Sequence, residues 1–156
     1  MNLNIIGVKK GHVMSSAIMA ITGLIIGLLT MPAEATVLLK TLDGMAFPVL
    51  EVMNVFLIDF PMSILAAVLF TLMNKNAKIK DGIICGFLFL IIIIFLIFSV
   101  GVFTGMAEPI ADTAIKSSHL FGFAFPIFCL IFLLFDFGVC VLGGILGITI
   151  MREMKK

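Results

Sequence analysis

Three stretches of this chain are too long, too apolar and too free of charge to lie on the surface of a water-soluble domain. Residues 13–31 and 82–107 carry no charged side chain, and residues 120–151 carry one, Asp136. A transmembrane helix needs about 20 mostly apolar residues to cross a hydrocarbon core about 30 Å thick. A fourth apolar stretch, residues 49–73, contains Glu51, Asp59 and Pro61. Four spans are therefore expected, the last starting near Pro126 because residues 120–151 exceed one straight crossing. Composition agrees, with 62% hydrophobic and 12% charged residues, about half the charged share of a soluble domain. Ten Lys and Arg against nine Asp and Glu leave no basic footprint for nucleic acid.

The charges sort by side. Lys9 and Lys10 precede the first span, Lys75, Lys78 and Lys80 join the second to the third, and Arg152, Lys155 and Lys156 follow the fourth. The opposite side has only Lys40 and Lys116, with Glu34, Asp43, Glu51, Glu108 and Asp112. By the positive-inside rule both termini are cytoplasmic in a multi-pass protein of the cell membrane. Asp81 and Glu153 fall on the cytoplasmic side, so Asp59 and Asp136 are the two charges with no expected place in water. Lys9-Lys10, an apolar run and Pro-Ala-Glu-Ala at residues 32–35 resemble a signal peptide. That apolar run is longer than the usual stretch of about 7–15 residues, so an uncleaved first helix is expected.

The two halves match at a period of about 75 residues. Gly27-Leu-Leu-Thr, Ala33-Glu34, Lys40, Gly44-Met-Ala-Phe-Pro and Asp59-Phe60 answer to Gly101-Val-Phe-Thr, Ala107-Glu108, Lys116, Gly122-Phe-Ala-Phe-Pro and Asp136-Phe137. The expected architecture is an all-α integral membrane protein, one domain over 1–156, with two-helix repeats at 9–74 and 80–151. Each repeat has two spans, so both insert the same way up as parallel-repeat hairpins about a pseudo-two-fold axis along the membrane normal. Pro32 and Pro109 are each expected to open a short interfacial helix, since Pro suits a first helical turn.

Asp59 lies eleven residues beyond Pro48, and Asp136 ten beyond Pro126. At 1.5 Å per residue, that is about 15 Å down the second and fourth spans. An Asp at a helix centre costs about 2.5–3.5 kcal/mol on insertion scales, which makes two of them candidates for ion or proton binding. Ser63 shares a helix face with Asp59, and Asn54 lies one and a half turns the other way. Pro61 lacks an N–H and should free the carbonyl of Leu57. Carboxylate, hydroxyl and carbonyl oxygens suit Na⁺ or a proton carrier. The surroundings of Asp136 are drier, so Asp59 is the expected cation ligand and Asp136 the expected protonated hydrogen-bond donor. The plain alternative is that both carboxyls join helices or subunits by hydrogen bonds.

Glycines spaced by four recur as Gly23 and Gly27, Gly82 and Gly86, Gly101 and Gly105, and Gly143 and Gly147, a spacing that permits close helix packing. Cys85, Cys129 and Cys140 form no C-x-x-C pair and read as small buried residues. His12 and His119 have no ligand partners nearby in sequence, so no metal or other cofactor is expected. No nucleophile elbow or phosphate loop is present, and no enzyme is expected. Four helices leave little wall for a private solute path, so a homo-oligomer or larger membrane complex is expected in the lipid bilayer. The first functional reading is a transport or ion-coupling component using H⁺ or Na⁺; the alternative is a non-transporting structural or assembly subunit. Duplicated hairpins with a carboxylate in the second helix are similar in layout to the proteolipid rotor subunits of rotary ATPases. The likeness ends there, since those helices are dense in Gly and Ala and these are rich in Phe, Ile and Met.

Overall fold

The computed structural model describes residues 8–41, 54–104 and 124–155. They form α1 (Lys10–Thr41), a π-helical turn (Val55–Asp59) that leads directly into α2 (Phe60–Met73), α3 (Ile79–Thr104) and α4 (Ala124–Glu153). Among the described residues there is no strand, and four helices are long and apolar enough to cross a membrane. The described residues thus form an all-helical bundle whose four helices are candidate membrane spans.

Close contacts give the direction of each helix. Gly11 of α1 faces Asn74 and Phe70 of α2, whereas Gly23 faces Met62 and Ile58, so these two helices are antiparallel. Between α1 and α3, Ser16 meets Cys85 near one end, and Gly23 lies by Ile93 further along. That constant offset means α1 and α3 run parallel. In the same way Gly82 and Gly86 of α3 meet Gly144 and Cys140 of antiparallel α4, while Gly143 and Gly147 of α4 meet Ser63 and Ala67 of parallel α2. Round the bundle the order is α1, α2, α4, α3, with α2 and α3 also touching across the middle. A two-fold axis exchanging the hairpins would place α1 diagonally from α3. Instead α1 packs on α3 and α2 on α4, so the hairpins are stacked side by side.

Packing at α4 depends on missing side chains. A Cβ on Gly144 would overlap the carbonyl oxygen of Gly82 and lie 3.1 Å from the backbone nitrogen of Gly86. A Cβ on Gly147 would likewise overlap the carbonyl oxygen of Ile64. In lipid, apolar side chains gain nothing by leaving the solvent, so helix association relies on such close approach and its dispersion contacts. Consecutive glycines 143 and 144 serve two neighbours, α2 and α3, from one helix. The core between the helices is filled by Ala20, Ile58, Met62, Phe89, Leu90, Ile93 and Cys140.

Two local features depart from the sequence reading. First, α1 does not end before Pro32 but continues to Thr41. Proline removes one helical hydrogen bond, and Ala33, Glu34, Ala35 and the leucines after it are good helix formers. At 32 residues, α1 measures about 48 Å, well beyond the thickness of a hydrocarbon core. Second, the chain beside Pro61 is a π turn, closed by the Phe60 N–H donating to the carbonyl of Val55. An α-helix would press the proline ring onto the carbonyl of Leu57, and the wider turn relieves that clash. The simple loss of one carbonyl partner is thus replaced by a rearranged turn. Pro109, Gly105 and the two loops joining the helices at the other end lie outside the described residues.

Candidate functional site

Asp59 and Asp136 both point into the bundle, with 4% and 7% of their surface exposed. Asp59 ends the π turn that leads into α2, and Asp136 lies on parallel α4; between these segments Phe56 packs edge-to-face on Phe135 with ring centres 5.8 Å apart. Two turns further, Gly143 abuts Ser63 and Phe60. This register sets Asp59 level with Val139 and Cys140, about one turn from Asp136. The Cys140 thiol donates to Oδ1 of Asp136 over 3.3 Å. The structure therefore places the two carboxyls about one turn apart along the interface of α2 and α4, with the Cys140 thiol bonded to Asp136. A proton held by Asp136 belongs on Oδ2, because Oδ1 is already an acceptor.

Ser63 is fully buried and donates its hydroxyl to the carbonyl of Phe60 at 2.7 Å. Its remaining lone pairs make it an acceptor or oxygen ligand one turn from Asp59. Asn54 is half-buried just before the π turn. π turns inside α-helices occur often at functional sites, and this one ends on Asp59 itself. Of the glycines singled out by spacing, Gly82, Gly86, Gly143 and Gly147 meet neighbouring backbone, Gly23 meets Met62 and Ile58, and Gly27 makes ordinary contact with Ile58. Gly101 lies in α3. The three cysteines are free thiols.

A second buried polar layer lies at the lysine-rich end, and here the sequence reading is corrected. Asp81 is 1% exposed rather than in water, and His12, read as isolated, is its partner. Nε2 of His12 lies 3.1 Å from Oδ1 of Asp81, and the Lys9 ammonium lies 3.8 Å from the same oxygen. The His12 ring stacks on Phe70 of α2 with centres 4.0 Å apart. One turn inward, Ser15 donates to the carbonyl of His12 and touches the Cys85 sulfur, while Ser16 donates to the carbonyl of Cys85. His12 and Asp81 are 69 residues apart, so no local window of sequence shows the pair. The legible trace is that each is the third residue of its helix after a lysine N-cap. Among the described residues, no three His, Cys, Asp or Glu side chains form a metal-binding group.

Comparison with family models, curated proteins and solved structures finds no match.

Proposed function

We propose that this chain is a proton-handling membrane component, built from two repeated hairpins and working through Asp59 and Asp136. The observation that carries the reading is that both carboxyls are buried inside the bundle at one interface, rather than turned outward to lipid or a partner. Burying an acidic group in an apolar bundle is costly, and such residues in apolar helices mark ion or proton pathways. A thiol bonded to Asp136 favours a proton over Na⁺ there, because sulfur is a poor ligand for a hard cation. The π turn supports the reading by providing a deformable segment at Asp59. With Lys9, Lys10, Lys75, Lys78, Lys80, Arg152 and Lys155 at one end of the described helices, the positive-inside rule assigns that end to the cytoplasm.

The test is flux in proteoliposomes under an imposed gradient of H⁺ or Na⁺. Wild type is expected to dissipate the proton gradient above the protein-free background, and Asp59→Asn and Asp136→Asn are each expected to return to it. Flux of Na⁺ but not H⁺ would replace the proton with the metal ion. Background flux of both ions in folded wild type would refute transport by this chain alone and leave the assembly-subunit reading.

A further inference from the structure

We infer that His12 and Asp81 form a second proton-binding site, whose occupancy unfastens the lysine-rich end of the bundle. The inference concerns this end alone and does not depend on transport through Asp59 and Asp136.

Each residue caps its own helix. At the start of α1, the His12 N–H donates to the carbonyl of Lys9 at 3.0 Å, and the Lys9 N–H donates back to Nδ1 of His12 at 2.9 Å. At the start of α3, the Asp81 N–H donates to the carbonyl of Lys78 at 2.8 Å, and the Lys78 N–H donates back to Oδ2 of Asp81 at 2.7 Å. Both are reciprocal boxes between an N-cap and its third residue. The His12–Asp81 bond joins the boxes, so one imidazole fastens two helix starts and, through its stack on Phe70, reaches α2 as well.

This arrangement defines the proton state of the ring. Nδ1 accepts an N–H and therefore carries no hydrogen. Nε2 bears the hydrogen and donates to Asp81. A proton from water can enter only at Nδ1, where it would oppose the N–H of Lys9, donor against donor. The ring must then leave the cap of α1, and the Lys9 N–H loses its acceptor. The gain on protonation is a charged pair with Asp81. Around the ring stand Lys9 before α1, Asp81 on α3 and Phe70 on α2. At the C-terminal end of α4, which carries Arg152 and Glu153, the Lys155 ammonium reaches the carbonyl of Thr71, next to Phe70, at 3.5 Å. Burial opposes the cation most, Asp81 favours it, and Lys9 adds a smaller opposition. The two states are thus opposed by specific groups, and the neutral one alone keeps both caps. Release of the first turn of α1 would uncover Ser15, Ser16 and Cys85 beneath it.

His12 and His119 are the only histidines, so ¹⁵N-histidine NMR of the full chain, with His119→Gln as the assigning variant, reads the site directly. At about pH 8 His12 is expected as the Nε2–H tautomer. On acidification to about pH 5, the range where imidazole ordinarily titrates, both ring nitrogens should become protonated. In step, hydrogen-exchange protection of the amides in the first turns of α1 should fall at least about tenfold, as in local opening. Asp81→Asn keeps an acceptor but removes the charge, and should move proton uptake at least about one pH unit lower. An Nδ1–H tautomer at about pH 8, a ring that stays neutral to about pH 5, or a ring that charges while α1 keeps its protection would each overturn the inference. All three outcomes come from the wild-type chain, so the inference stays testable even where the variant does not fold.

Discussion

Gly144→Leu is expected to abolish the cooperative unfolding transition of the bundle in mixed micelles, and Gly144→Ala to weaken it by about 3 kcal/mol. Overpacking a tight site typically costs about 1–3 kcal/mol. The upper end applies because the atoms in the way, the carbonyl of Gly82 and the nitrogen of Gly86, are backbone and cannot rotate aside. Relief requires α3 and α4 to separate, which removes dispersion contacts along both helices. Gly138 is the control, six residues away on the same helix with nothing within 4 Å of an added Cβ. Gly138→Ala should be neutral, or stabilising by up to about 1 kcal/mol, because Ala has the higher helix propensity. Equal effects at the two positions would show that helix propensity, not the approach of α3 to α4, governs stability here.

The second large effect is expected at Asp81. Asp81→Ala removes the acceptor for His12, for the backbone N–H of Lys78 and for the Lys9 ammonium. A buried donor left unsatisfied costs about 1–3 kcal/mol, and a lost N-terminal cap costs about 0.5–2 kcal/mol. The variant should therefore lose about 3 kcal/mol in the same unfolding assay. Asp81→Asn keeps one carbonyl oxygen and should lose roughly half as much. Lys9→Ala should cost less than about 1 kcal/mol, because Lys9 is 53% exposed and its ion pair faces water. These values are not additive, since all three groups share one network. A loss at Asp81→Ala no larger than at Lys9→Ala would mean that water replaces the carboxylate and that this end is open.

The long charge-free runs made four spans legible, because the length needed to cross a bilayer leaves few alternatives. The carboxyls at Asp59 and Asp136 were legible for the same reason, as charges with no aqueous place. Their shared interface was not, since side-by-side stacking of hairpins and a two-fold arrangement fit the same linear pattern. Pro32 misled because a proline near good helix formers removes one hydrogen bond without ending the helix. Gly144 was missed because a search for pairs spaced by four finds Gly143 and Gly147 and passes over the doublet, whose second member faces a different neighbour. His12 and Asp81 were hidden by distance along the chain. Lys9-x-x-His12 and Lys78-x-x-Asp81 do share a capping pattern, but two capped helices need not be adjacent until parallel packing makes them so.

A π turn holds one residue more than the α turn it replaces. The eleven residues from Pro48 to Asp59 exceed the ten from Pro126 to Asp136 by one, and the longer interval is the one that contains the π turn. Elsewhere in an α-helix, an inserted residue rotates everything beyond it by about 100°, enough to swing an inward carboxyl toward lipid. At residues 55–59 the surplus is stored in the widened turn, and Asp59 still faces inward. This stretch therefore carries one residue of slack, so that losing a residue such as outward-facing Leu57 shortens the helix without turning its buried face.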